Sequence, residues 1–308
     1  FEPEQVEKER SVIIEEISST QDNPAEIVNL LIDKVLWPDQ AMGRDVAGSK
    51  ETVSAFTRQH LIDFRARRYL ARNAVVSVAG DVDHQSIVER ISRAFGSWQD
   101  GPAAPWTPAD DRQTSPRLLV DTRSTEQAHL CLALRGLSSL HPQRFALGML
   151  NAILGDGMSS RLFLNIREKL GLAYDIHSYA VHLQDTGAWV VYAGVDPPQL
   201  TATVQAVLEE LARLREEIPE AELTRAREFL KGRLLLRMED SRSVATWLGA
   251  QEMLAERILT VDEVVAMLDT ITHQQLHEVA RSLITTDKLD VAVVGPVSAA
   301  DIEGLLKL

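Results

Sequence analysis

The sequence predicts an α+β protein of two homologous units. Each unit is an antiparallel-rich sheet with helices mainly on one face, and the first unit is incomplete. Three observations carry this. A helix–strand–turn–helix pattern occurs twice without a gap, with Gly80 and Gly295 lying 215 positions apart. Apolar residues alternate with period two in several short runs between amphipathic helices. Pro102, Pro105, Pro108 and Pro116 sit among small and polar residues in 101–116, which is linker composition.

In chain order, residues 3–18 read as a helix, with Pro3 suited to its first turn. Asp22-Asn23-Pro24 is a turn and cap signal before a helix over 25–35, and 36–48 is irregular. A third helix over 57–68 carries Leu61 and Phe64 inward, with Arg65, Arg67 and Arg68 on its solvated face and end. Residues 74–79 alternate as a strand, Gly80-Asp81 turns, and 85–95 is a helix. Beyond the linker, 117–121 and 128–135 read as strands and 142–154 as a helix. A Gly155-Asp156-Gly157 break precedes a helix over 161–169; strands over 174–183 and 189–195 flank a turn at Asp185-Thr186-Gly187. Helices follow at 197–217, 219–239, 243–255, 261–268 and 272–283, then a strand over 289–294 and a closing helix over 299–306.

With the two glycines aligned, Thr57 meets Thr272, Leu61 meets Leu276, and Phe64 meets Val279. Val76 and Val78 meet Val291 and Val293; Ile87 meets Ile302 and Ile91 meets Leu306. The reading that follows is a duplication. It gives 1–100 as the C-terminal half of a first domain, 101–116 as linker and 117–308 as a second, homologous domain. By the same offset, about a hundred residues of the first unit would lie upstream of Phe1.

The chain has 308 residues, enough for two real cores. Its 45% hydrophobic and 25% charged content is that of an ordinary globular protein, and no apolar run reaches membrane-spanning length. A net charge of −13 argues against nucleic-acid binding. The single cysteine, Cys131, excludes an internal disulfide and reads as a small core residue. That permits a reducing compartment; the cytoplasm is favoured and the compartment otherwise left open.

The chemistry centres on Glu9-Arg10-Ser11-Val12-Ile13-Ile14-Glu15-Glu16. At about 100° per residue, Val6, Val12, Ile13 and Ile17 form one apolar arc, and Glu9 and Glu16, two turns apart, fall within it. Two carboxylates on a buried stripe need a cation, a proton or donors. An Arg partner from elsewhere and a metal or catalytic role are both open on geometry alone.

This stretch, with Asp22-Asn23-Pro24 after it, resembles the third-ligand helix of the inverted-zincin peptidases, the family of insulysin, pitrilysin and the mitochondrial processing peptidase. In that family an H-x-x-E-H helix supplies two histidine ligands and a general-base Glu. The resemblance implies Glu16 as a zinc ligand and Glu9 as its support. Neither H-x-x-E-H nor H-E-x-x-H occurs in these 308 residues, so two of three zinc ligands and the base are lacking. The stretch 159–174, ending in Arg167 and Tyr174, looks like the family's second-domain signature. It implies that Arg167 binds substrate carbonyls and Tyr174 donates to the carbonyl or its oxyanion. Without the resemblance, the pair reads as a helix-end Arg and a core Tyr.

Other candidates carry less. Gly155-Asp156-Gly157 is a helix stop rather than a phosphate loop, and Ser159 lacks a nucleophile-elbow context. His273 and His277, spaced i, i+4, read as a surface pair without a third ligand; His177 and His182 fall on opposite strand faces. The expectation is a zinc metalloendopeptidase acting on peptides or unfolded segments, one zinc per full-length chain, working as a homodimer or with a homologous subunit. The alternative is a non-catalytic scaffold or assembly subunit of the same family. In the 308-residue chain, Glu16 should be protonated, paired with an Arg or exposed, with no stoichiometric zinc and no activity.

Overall fold

A computed structural model describes residues 1–255 and 257–308. Its helices and strands run α1 (Pro3–Gln21), α2 (Pro24–Leu36), α3 (Lys50–Ala55), α4 (Arg58–Arg68), α5 (His84–Phe95), β1 (Arg117–Thr122), β2 (Ala128–Arg135) and α6 (Arg144–Leu154). A π-helical segment, Leu162–Lys169, leads to β3 (Asp175–His182) and β4 (Gly187–Val195). Then come α7 (Leu200–Glu216), α8 (Glu220–Arg237), α9 (Ser241–Leu254), α10 (Val261–Asp269), α11 (His273–Leu283) and β5 (Leu289–Gly295). The chain forms two compact units. One comprises Phe1–Ile17, Ala47–Pro108 and Arg233–Val261; the other comprises Ser18–Val46, Ala109–Gly232 and Asp262–Leu308.

The second unit is built on a mixed five-stranded sheet of order β1-β5-β2-β4-β3. β5 runs parallel to β1 and antiparallel to β2; the β2–β4 and β3–β4 pairs are antiparallel. α6, α7 and α11 pack together on one face, and α2 covers the other. Period-two alternation sends Cys131, Ala133, Ala188, Val190, Tyr192, Ala292 and Val294 toward Ile27, Val28, Ile32 and Leu36 of α2. Alanines at the sheet centre let that helix approach closely. The opposite residues, Leu130, Leu132, Leu134, Trp189, Val191, Val291 and Val293, are equally buried. A strand buried on both faces reads as a near-continuous apolar run, which is what β4 is and, Asp290 apart, β5 also. Asn151 of α6 accepts from the Trp189 indole at 3.0 Å and from the Ser178 hydroxyl at 2.7 Å, so these three buried polar groups satisfy one another.

The first unit is helical, with no strand among its described residues. Residues 74–79, expected as a strand, are extended but unpaired, and Val75, Val76 and Val78 are 41%, 50% and 44% exposed. Alternation makes a segment fit to pair; without a neighbour to supply hydrogen bonds it stays single. Phe64 of α4, expected inward, is 53% exposed, whereas Leu61 is half-buried. The short helix α3 was not expected; Ser49 and Thr52 form its capping box, a signal that six residues of weak periodicity hide. At the other end of the chain, the expected closing helix is two 3-10 turns, Ala299–Asp301 and Glu303–Leu305.

Candidate functional site

Helix α1 carries Glu9 and Glu16 on one side, as their spacing requires, but that side is exposed. The buried residue is Ile17, flanked by half-buried Val6, Arg10, Ile13 and Ile14, while Val12 is 42% exposed. The inward face therefore lies about a quarter turn from the arc expected from sequence. The reason is Arg10. Its side chain is only 16% exposed, and it belongs to the inward face although it is charged. It donates to Glu7 through Nε and Nη2, both at 3.0 Å, to the Phe56 carbonyl at 2.8 Å, and to the carbonyls of Val53 and Ser54. Those carbonyls close α3, where a cation meets both unsatisfied acceptors and the negative end of the helix dipole. The Arg10 hydrogen bond also holds the Glu7 carboxyl below its ordinary range. Arg10 thus fixes which way the neighbouring Glu9 and, two turns on, Glu16 point. Of the three states expected for Glu16, exposure is the one observed.

In the second unit, Arg167 lies in the π-helical segment and Tyr174 just before β3. The wide helix is marked by Leu170 N–H donating to Asn165 O at 3.0 Å, five residues back. Leu162 and Ile166 bury completely beneath it. Two polar anchors hold it. Arg161 grips Glu222 at 3.0 and 2.7 Å and the Glu217 carbonyl at 2.7 Å. Asn165 donates to the buried Glu210 of α7 at 2.9 Å, and Arg213 neutralises the same carboxylate at 2.9 Å. So fixed, the Arg167 guanidinium stacks 4.9 Å from the Phe163 ring centre and 5.7 Å from the Tyr174 ring centre. Tyr174 is 77% exposed, which corrects its reading as a core residue, and its N–H is spent on Gly194 O at 3.1 Å. The structure thus brings the two predicted donors of this stretch side by side, facing outward. Arg161, Asn165 and Glu210 escaped sequence reasoning; the one signal was a Glu on the apolar stripe of α7.

The remaining candidates separate. Gly155 ends α6 by donating to Asn151 O, as a helix stop does. His273 binds Glu220 at 2.8 Å rather than acting with His277, and both are half-buried rather than a surface pair. His182 Nδ1 donates to the Leu137 carbonyl, 2.7 Å away, and burial lowers its pKa. Cys131 is fully buried, and burial pushes its thiol up, so it is core rather than nucleophile. Among the described residues no three His, Cys, Asp or Glu side chains gather as metal ligands. No described helix is long and apolar enough to cross a membrane.

Comparison with known proteins gives consistent matches. The family described as "Peptidase M16 inactive domain" matches residues 55–230. An uncharacterized zinc protease of Streptomyces coelicolor is 35% identical over 300 residues, which is 95% of this chain and 65% of that protein. The chain thus spans less than two thirds of that relative's length. An uncharacterized zinc protease of Bacillus subtilis is 33% identical over 297 residues, 96% of this chain and 72% of that protein. Among solved structures, a protease from Helicobacter pylori superposes with a TM-score of 0.90 at 21% identity, covering 96% of this chain and 73% of that one. At that identity the likeness speaks for the fold.

Proposed function

Starting from the fact that this chain belongs to the M16 peptidase family, we propose that it is part of a zinc metalloendopeptidase acting on peptides or unfolded segments. The observation that carries this reading is the Arg167–Tyr174 pair, an exposed phenol held against a guanidinium on an anchored π-helical segment. Tyr174 is 77% exposed, so its ring stands open to solvent beside the Arg167 guanidinium. Arg167 offers charged N–H donors to a peptide carbonyl, and Tyr174 offers an O–H to the same oxygen as negative charge grows on it.

Zinc would supply Lewis-acid polarisation of that carbonyl and an activated water. The described residues do not make its site by themselves. Glu16 is a carboxylate of suitable type on an exposed helix face, with Glu9 placed to support it, but a zinc centre needs three protein ligands. On this reading the two histidines and the general base come from outside these 308 residues, and the wider exposed apolar surface of 64–95 is where further chain or a partner packs. The duplication divides the sequence as 1–100 and 117–308, although Ser18–Val46 belongs to the second compact unit and Arg233–Val261 to the first; a second copy or a homologous subunit would complete a chamber around the peptide.

Zinc analysis beside a peptide-cleavage assay tests this on the protein that includes the zinc histidines. Tyr174→Phe should keep its zinc and lose roughly a hundredfold or more in turnover. Glu16→Gln should lose zinc and most activity together. Full activity in Glu16→Gln, or tight stoichiometric zinc in the 308-residue chain alone, would overturn the assignment.

A further inference from the structure

Eight described buried side-chain atoms lack a hydrogen-bond partner, and five of them belong to one neighbourhood of the second unit. They are the Trp37 indole nitrogen, Nε and Nη1 of Arg135, Oε1 of Gln113 and Oδ2 of Asp290. Asp290 is fully buried on β5, in register with Arg117 of β1 and Ala133 of β2, beneath the C-terminus of α2. Arg117 donates to the carbonyls of Val35 and Leu36 at 3.0 and 3.4 Å, and Arg135 donates to Leu36 as well. Two guanidiniums thus hold the last carbonyls of that helix. Arg135 also stacks 5.4 Å from the Trp37 ring, and its Nε lies 3.1 Å from the Asp111 carboxylate in an ion pair that is off the line of a hydrogen bond.

Gln113 is the informative partner. One amide N–H goes to Asp290 Oδ1 at 2.9 Å and the other to the Ser115 carbonyl at 3.1 Å. What remains is Gln113 Oε1 and Asp290 Oδ2, each bound to the same carbon as an atom of the existing hydrogen bond, and each a buried acceptor without a donor. Two such acceptors in an amide–carboxyl pair are both satisfied by a single proton. We infer that Asp290 is a neutral carboxylic acid in the folded protein, its proton bridging Oδ2 to Gln113 Oε1 in a cyclic acid–amide pair, and that this proton keeps Arg117 and Arg135 on the end of α2.

Burial acts in the same direction, pushing the Asp290 pKa up to about 7, even though Arg117, the Gln113 hydrogen bond and Arg135 pull it down. The charged groups facing the cluster are Arg117 from β1, Arg135 from β2, and Asp110, Asp111 and Arg112 from the approach to β1. Asp110 is taken up by Arg112. α2 contributes its terminal carbonyls; its Asp33 acts electrostatically on Cys131 and Tyr179 instead. With Asp111 as counter-ion, Arg135 needs no second anion. When Asp290 ionises, its carboxylate competes with Val35 and Leu36 for both guanidiniums, and the seat of α2 loosens. The device is a proton-operated latch on the helix that follows the Glu16 helix by two residues.

The test follows the carboxyl carbon of Asp290 by NMR in the 308-residue chain across pH 4 to 9, with urea unfolding at pH 5 and pH 8. The carbon should titrate near neutrality. Because the folded pKa lies above that of the unfolded chain, the folded state holds the extra proton, and stability falls as pH rises through that window. The folding constant should drop on the order of tenfold per pH unit between about 4.5 and 6.5 from this group alone. Asp290→Asn, whose amide can donate to Gln113 Oε1, should fold and lose that component. The Trp37 indole N–H resonance should shift with the same midpoint in the native chain and stay fixed in the variant. An Asp290 carbon already ionised at pH 5 would overturn the inference. So would an unchanged pH slope in Asp290→Asn, or a Trp37 resonance indifferent to the titration. If that variant does not fold, the native carboxyl titration decides alone.

Discussion

Residues 57–80 and 272–295 share one local structure and differ in what surrounds it. Helix α4 spans Arg58–Arg68 and α11 spans His273–Leu283, the same length at the same offset. Both open on a threonine capping box, Thr57 with His60 and Thr272 with Gln275. Both are followed by a 3-10 turn, Ala71–Asn73 and Thr286–Lys288, and an extended run ending in glycine. In the second region Leu276, Val279, Val291 and Val293 are fully buried and the run is β5, hydrogen-bonded on both sides. In the first, Phe64, Val76 and Val78 lie open and the run pairs with nothing described. Caps and short turns are decided within a few residues of chain; a strand is decided by its neighbours. Even the glycines differ in purpose. Gly295 lets β5 pass Ala128, whose Cα a side chain would meet at 2.9 Å, whereas Gly80 takes φ +141° with open space around it.

Substitutions at matched positions sharpen this contrast. The largest effect should come from Val291→Asp, which buries a charge between two strands and should cost at least about 4 kcal/mol, enough to unfold the second unit. Its counterpart Val76→Asp should stay within about 0.5 kcal/mol in the same urea titration, since the side chain is already half exposed. Leu276→Ala should cost about 2–5 kcal/mol and Leu61→Ala clearly less, because only the first opens a cavity. Amide exchange should divide the regions likewise, with β5 protected to near the global limit and 74–79 exchanging close to the rate of a free chain. Thr57→Ala and Thr272→Ala should be nearly equal, about 1 kcal/mol each by local helix stability, because the cap is the same in both. Equal costs for the two valines, or strong protection of 74–79, would break the comparison.

Much of this organisation is legible in the sequence. Asn23, Thr57, Asp83 and Thr272 announce their helices, and the largely apolar runs of 128–135 and 289–295 announce central strands. What escapes is whatever depends on a distant partner. The face of α1 is misjudged because a charged residue, Arg10, faces inward, and only the carbonyls of α3, over forty residues away, make that favourable. The pairing of 74–79 and the exposure of Phe64 likewise turn on surroundings that no local pattern encodes. Of the candidate site, the Arg167–Tyr174 spacing is visible in the chain. That the guanidinium comes to lie over the ring depends on a helix winding that periodicity at 3.6 residues cannot register.

That winding sets a limit on how the protein tolerates change in length. A π turn holds one residue more than the α turn it replaces, so 162–169 stores a single-residue surplus in its hydrogen-bond ladder. Excising one position there, for instance Leu164, which is 45% exposed, would let an ordinary helix re-form. The shortened chain should be no less stable, because an α turn closes the same full turn with one residue fewer and everything downstream of the cut keeps nearly its present phase. Only the widened turn would change: the Arg167 guanidinium would shift on the Tyr174 ring while Tyr174 and β3 keep their places. The surplus residue is thus a local widening absorbed within one turn, and a deletion scan across it, read by thermal melting beside peptide turnover, would separate what this stretch contributes to holding the fold from what it contributes to pointing a side chain.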